Sequence, residues 1–330
     1  MGIHTAHYRG LRHGAFLAGT LLAAASIFPA AASGQERGPQ AAKPGGHVRL
    51  NRVIELIENG TPALGIFAWN VSPRGAAALA SSRLDFVIID LEHTPFDMTR
   101  LETYLLAMVD KRRILEKGNL QPDVVPIVRI PANGREHVQY MIKQVLDLGA
   151  FGLLVPHIDT AEEALAAVRA TRFAQPAGAR HIQPGGQRGV GYGWAARYWG
   201  IIGDLYPAKA DVWPLDPGGE LLLWCMIESR DAVENVRAIA STPGVGGLFV
   251  GPSDLSFSLG VPPSDPRVEE AIRKVLSACK ETGVPCGTFT SAEGVATRLR
   301  QGFRFLAVGV DSGLPCDVEQ ALQIGRQRKP

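Results

Sequence analysis

Polar residues of chemically useful types stand at the ends of apolar runs in this chain. Asp90, Glu92 and His93 end or follow the run 86–90, and Arg129 lies near the end of 124–130. His157 follows 152–156, Glu228 closes 221–228, Gly251-Pro252-Ser253-Asp254 follows 246–250, and Asp311 follows 305–310. A charged group ending an apolar run must be solvated, paired or bound to something. Glu228 and Asp254 close neighbouring runs, so both carboxylates can face one ion. All-oxygen ligation with positions left open suits a hard divalent cation, Mg2+ first and Mn2+ or Co2+ as alternatives. The competing reading is that each acid caps the helix after it.

Arg129 offers a rigid fork matched to a carboxylate or an enolate oxygen; its alternative is a buried ion pair with Asp90 or Glu92. His93 has the side chain suited to acid–base work near neutrality, and Asp90 on the same loop would orient its ring. The alternative for His93 is a structural loop residue. Gly251 and Ser253 are small, which lets backbone N–H groups approach an anion beside the proposed ion. His157 and His181 rank below His93 as pocket candidates. His4, His7, His13 and His47 fall in the leader, and His137 beside a helix start. No strand-end lysine offers a Schiff base.

The elements that position these groups recur in order. Apolar runs at 63–68, 86–90, 124–130, 152–156, 221–228, 246–250, 285–289 and 305–310 read as parallel strands covered on both faces. Helical segments at 75–81, 99–111, 138–148, 160–171, 230–241, 266–282 and 292–301 separate them, and Val53, Ile54 and Ile57 suggest a helix before the first strand. Eight strands with seven crossovers spell an α/β fold, a single-domain (β/α)8 TIM barrel, whose chemistry sits at the C-terminal strand ends. A doubly wound sheet is the alternative, but no GxGxxG turn accompanies the strands. Between strands 4 and 5, residues 172–219 are too long for an ordinary connection. The stretch is rich in Gly and aromatic residues (Gly185, Gly189, Tyr192, Trp194, Trp199) and reads as an active-site cover, an oligomer contact or a surface excursion.

Lys plus Arg number 34 and Asp plus Glu 32 in 330 residues, so no basic field exists to hold nucleic acid. Residues 1–33 read as a signal peptide: Arg9 and Arg12, an apolar run at 15–29 too short for a membrane span, then Ala30, Ala31 and Ala32. Its removal takes the formal charge from +2 to 0 and leaves no stable membrane insertion. The expected location is periplasmic or secreted, or cytoplasmic if the leader is not processed. Residues 34–47 form a flexible leader and 48–325 the barrel domain. Cys225, Cys279, Cys286 and Cys316 show no CxxC and no zinc spacing, and are expected as free, buried thiols.

The stretches FVIIDLEHTPFD, VPIVRIP, IKQVLDLGAFGLLVPHIDTAEEA, MIESRDAVENV, GVGGLFVGPSDLSFSLG and FRFLAVGVDSG resemble the HpcH/HpaI-type class II pyruvate aldolases over about residues 65–314. The resemblance implies a metal-dependent carbon–carbon lyase that cleaves 4-hydroxy-2-oxo acids to pyruvate and an aldehyde through an enolate held at the metal. By the same resemblance Glu228 and Asp254 match the metal-binding acids. Arg129 matches the arginine that holds the oxo acid, and His93 with Asp90 the acid–base pair. Gly251 and Ser253 match the segment receiving the pyruvate carboxylate. Asp147 matches an aspartate offered to a neighbouring subunit's site in homohexamers built as trimers of dimers, often with the last helix exchanged. Met226 stands where the family pattern has Gln, and the Gly/aromatic insertion is similar to a divergent branch that includes macrophomate synthase-like proteins. The alternatives are an oxaloacetate decarboxylase or related enolate-forming lyase, and a non-catalytic exported oxo-acid-binding protein.

Overall fold

Each apolar run becomes a strand whose residues are buried on both faces, because helices cover the outside and side chains fill the inside. A computed structural model describes residues 49–131, 139–311 and 315–326, without the side chains of 315–317. The expected signal peptide and leader, His137 and the Cys316 thiol lie outside these residues. The order is α1 (Arg52–Glu58), β1 (Ala63–Ala68), α2 (Pro73–Ala80), β2 (Phe86–Asp90), α3 (Met98–Ala107), α4 (Lys111–Lys117), β3 (Val125–Arg129), α5 (Gln139–Asp147), β4 (Gly152–Val155) and α6 (Ala161–Thr171). The insertion follows, with α7 (Gly193–Trp199), α8 (Tyr206–Lys209) and the two-residue β5 (Val212–Trp213). The chain then runs through β6 (Leu221–Ile227), α9 (Arg230–Glu234), α10 (Val236–Ala240), β7 (Gly247–Val250), α11 (Pro252–Leu259), α12 (Pro266–Thr282), β8 (Cys286–Phe289), α13 (Val295–Gln301), β9 (Phe305–Val310) and α14 (Pro315–Arg326).

All pairings are parallel, and the ladder closes through β4–β6 and β1–β9. The result is the eight-stranded barrel expected from the sequence, with β5 added beside the start of β6. Aromatic rings fill its interior: Trp224 stacks on Phe305 at 4.0 Å and meets the edge of Phe86 at 5.4 Å. Gly287 makes this possible, because a Cβ there would sit 2.0 Å from the Phe305 ring.

The expected helix over 99–111 is broken, since the Asp110 side chain accepts from Arg112 N and Arg113 N and starts α4. The helix expected over 230–241 divides at Asn235 into α9 and α10. The cysteine expectation needs correction too. Cys279 and Cys286 form a disulfide between α12 and β8, their Cα atoms 6.0 Å apart, while Cys225 is a free, buried thiol. The last helix packs on its own barrel, where Arg326 reaches Asp85 at 2.8 Å. No helix among the described residues is long and apolar enough to cross a membrane.

The insertion is not a cover over the active site. It leaves from the end of α6 and returns into the start of β6, which places it at the N-terminal end of the barrel. There Trp199 stacks on Phe151 at 4.3 Å and donates to Gly149 O at 2.8 Å. Arg172, fully buried, is bidentate to Asp211 at 2.6 and 2.7 Å. Truncating Trp199 to Ala should therefore cost about 3–5 kcal/mol of stability in chemical denaturation. The turnover of the protein that remains folded should not change; a selective loss of turnover would return the insertion to the catalytic face.

Candidate active site

Side chains alternate along a strand, so the residues that continue the inward row of the barrel are set by parity. Phe86 and Trp224 face the interior, which sends Asp90 and Glu228 to the mouth on the same rows. The β2–β3 register sets Asp90 directly beside Arg129. Arg129 Nε donates to Asp90 Oδ1 at 3.0 Å, a second nitrogen meets Asp90 Oδ2, and Nη1 meets Glu92 Oε2 at 3.1 Å. The Phe67 ring supports the guanidinium from below, 4.7 Å to its centroid. The ion-pair alternative for Arg129 is thus realised with both acids, and the guanidinium is fixed at the mouth.

Asp90 does not orient His93. Its carboxylate is fully buried, held by Arg129, and accepts the backbone N–H groups of Glu92 and His93 at 3.0 and 3.2 Å. That shapes the loop and leaves the His93 ring, about half exposed, beside Glu92 instead, Nε2 to Oε2 at 3.7 Å. Glu92 is central here: it also lies 4.0 Å from His157 Nε2. Burial pushes its carboxyl above the ordinary value, against the pull of Arg129.

Glu228 and Asp254 line one cavity of about 330 Å3 with His157, Asp159, Phe257 and Ser258. Neither acid caps a helix as the alternative reading had it. Ser229 caps α9, Gly251 holds the cap position of α11, and Asp254 lies inside its first turn. Glu228 is 2% exposed; burial pushes its carboxyl up to about 7, opposed by the His157 backbone N–H at 2.8 Å and reinforced by Asp254. Glu228 Oε2 faces Gly251, where a Cβ would approach it to 2.6 Å, so only glycine leaves that oxygen room. Two carboxylates with one desolvated and short of positive charge are a donor set that a hard dication satisfies. Among the described residues no group of three or more His, Cys, Asp and Glu side chains closes on one point.

Ser253 is exposed on the first turn of α11, where backbone N–H groups lack intrahelical partners. The Gly251 N–H is already given to Ile227 O at 3.3 Å. Asp311 closes β9 onto the next loop, accepting from Trp69 N and Asn70 N. Asp147 is not part of this mouth. It ends α5 at the opposite end of the barrel, paired with Lys143 at 2.5 Å and Arg188 at 2.9 Å. His181 stays in the insertion, its carbonyl accepting from Arg172. The sequence ranks His157 below His93 and offers Glu92 only as an ion-pair partner of Arg129; the signal for a larger part at the mouth is their place after strands β4 and β2.

The model of the HpcH/HpaI aldolase/citrate lyase family matches residues 63–317. A 5-keto-4-deoxy-D-glucarate aldolase from Escherichia fergusonii is 34% identical over 254 residues, 76% of this chain and 87% of that protein. The crystal structure of an HpcH/HpaI aldolase/citrate lyase family protein from Burkholderia cenocepacia J2315 superposes with a TM-score of 0.65 at 31% identity, over 83% of this chain and 96% of the other. Macrophomate synthase superposes at 0.62 with 26% identity, covering 84% and 89%.

A dication at this pair must displace the proton that Glu228 holds. Mg2+ affinity is therefore expected to rise with pH and to level off above about 7, the value to which burial pushes Glu228. Titration calorimetry in buffers of different ionisation enthalpy reads the proton released. Glu228→Gln should weaken Mg2+ binding by more than about tenfold and abolish the release; unchanged binding would remove Glu228 from the site.

Proposed function

The chain belongs to the HpcH/HpaI aldolase/citrate lyase family, an aldolase-type, metal-dependent lyase family, and from that premise we propose that it cleaves 4-hydroxy-2-oxo acids to pyruvate and an aldehyde. The observation that carries this reading is the shared cavity of Glu228 and Asp254, set beside the Arg129–Glu92–His93 cluster at one mouth of the barrel. Glu228 and Asp254 would hold a divalent cation, Mg2+ first, which when bound supplies Lewis acidity at the 2-oxo group.

The chain's own groups do the rest. The first turn of α11, at Ser253, receives the substrate carboxylate through backbone N–H groups. Arg129, held rigid by Asp90 and Phe67, places positive charge where the enolate develops. His93, exposed on its loop, accepts the C4 hydroxyl proton. The C3–C4 bond then breaks, the aldehyde leaves, and its bonding pair becomes the enolate of pyruvate. Protonation at C3 completes the product.

Export and self-association belong to the same reading. Arg9, Arg12 and the apolar run at 15–29 support export, as does the Cys279–Cys286 disulfide, a bond favoured in oxidising compartments. Exposed Tyr140, Val190, Ile202 and Leu205, on α5 and the insertion, support burial against another copy, with a homohexamer as the proposed state.

Pyruvate release from a panel of 4-hydroxy-2-oxo acids tests the activity, run with Mg2+, Mn2+ or Co2+ and again with a chelator. The chelator should abolish turnover; turnover that survives it contradicts the reading. His93→Ala should slow aldol cleavage by about 10²–10⁴. Oxaloacetate decarboxylation, which needs no hydroxyl deprotonation, should suffer less. Equal losses in both reactions would take the proton-transfer role from His93.

A further inference from the structure

His157 has the one positive φ of any non-glycine residue among the described residues, +52°. A side chain in the left-handed region is strained, and such strain persists where the surroundings demand it. Here the twist turns the main-chain N–H onto Glu228 Oε1 at 2.8 Å. Glycine would adopt that backbone without strain and make the same bond. The backbone alone therefore gives no reason for an imidazole.

The ring itself is half-exposed and lines the cavity that holds Glu228 and Asp254. Nδ1 is 3.6 Å from Glu228 Oε1 and Nε2 is 4.0 Å from Glu92 Oε1. Both separations exceed hydrogen-bond length, and neither ring nitrogen donates to a described residue. The ring stands between two carboxylates with its hydrogen-bonding capacity turned to the cavity.

We propose that His157 contacts the bound oxo acid, its imidazole donating a hydrogen bond to a substrate oxygen over the Glu228–Asp254 pair while its main chain fixes Glu228. The inference deepens the lyase reading and rests on it. It makes His157 a substrate-binding residue whose contribution separates from that of its own backbone.

His157→Gly separates the two, because glycine keeps the N–H on Glu228 and removes only the ring. The probes are Mg2+ alone and then oxalate, a planar mimic of the pyruvate enolate, added to the Mg2+-loaded protein in titration calorimetry. The variant should bind Mg2+ within about threefold of wild type and oxalate at least about tenfold more weakly. His157→Asn, which tolerates the left-handed backbone and keeps a donor, should recover part of the oxalate affinity. Oxalate binding within twofold of wild type in His157→Gly overturns the proposal. So does a joint loss of Mg2+ and oxalate, which would leave the residue acting through Glu228 alone. Wild-type protein that takes Mg2+ but never oxalate would instead remove the lyase reading beneath it.

Discussion

Arg129 must neutralise more negative charge at the barrel mouth than one guanidinium carries. Asp90 takes its fork, Glu92 takes a third nitrogen, and Glu228 lies close enough to feel what remains. Around them stand Asp254 and Asp159, both felt by Glu228 as like charge. Desolvated carboxylates without matching cations hold protons or recruit a cation. Burial raises Glu92 and Glu228 together, the like charges of Asp254 and Asp159 add to it at Glu228, and the cavity so formed suits the dication and oxo acid proposed for it. Phe67 beneath the guanidinium and the aromatic stack beneath Phe67 keep the arrangement from relaxing.

The fold was legible because parallel barrel strands write themselves as continuous apolar runs. β1, β2 and β9 appear with the expected bounds, and the other barrel strands differ by a residue or two at their ends. The helix over Pro266–Thr282 was equally plain, with Asp265 capping its start and Gly283 ending it in the left-handed conformation. Helix breaks were harder to read: Asp110 caps a new helix, and at Asn235, whose side chain donates to Asp159 O, the backbone leaves the helix, each inside a stretch that periodicity would carry through. α11 was legible only as a helix that Asp254 could cap; its real cap is a glycine with no side-chain oxygen, and the signal for its start is Pro252.

At the site, residue type and strand-end position identified Arg129, Glu228 and Asp254 as neighbours of one mouth. Pairing within that mouth was not legible, since it depends on register. Asp90 lies opposite Arg129 on the ladder, so it serves the guanidinium and the loop backbone rather than the His93 ring. Burial then decides what spacing cannot. The Cys279–Cys286 bond joins a helix to the strand that follows it, a proximity created by the α12–β8 turn and invisible in residue spacing alone.

The two ends of the barrel pair their buried guanidiniums differently. At the N-terminal end Arg172 is closed onto Asp211, and Arg188 onto Asp147 with Phe173 4.4 Å from its guanidinium. Arg172 has Asp211 to itself, Arg188 shares Asp147 with Lys143, and pairing of that kind fixes geometry. At the C-terminal end the acids outnumber the guanidinium they share, and the imidazoles of His93 and His157 have no hydrogen bond of their own among the described residues. An insertion anchored at the first end can change stability and association while the second keeps its electrostatics. The aromatic excursion of residues 172–219 thus packs at the end of the barrel away from the Glu228–Asp254 cavity, where its length and sequence can vary without touching the proposed chemistry.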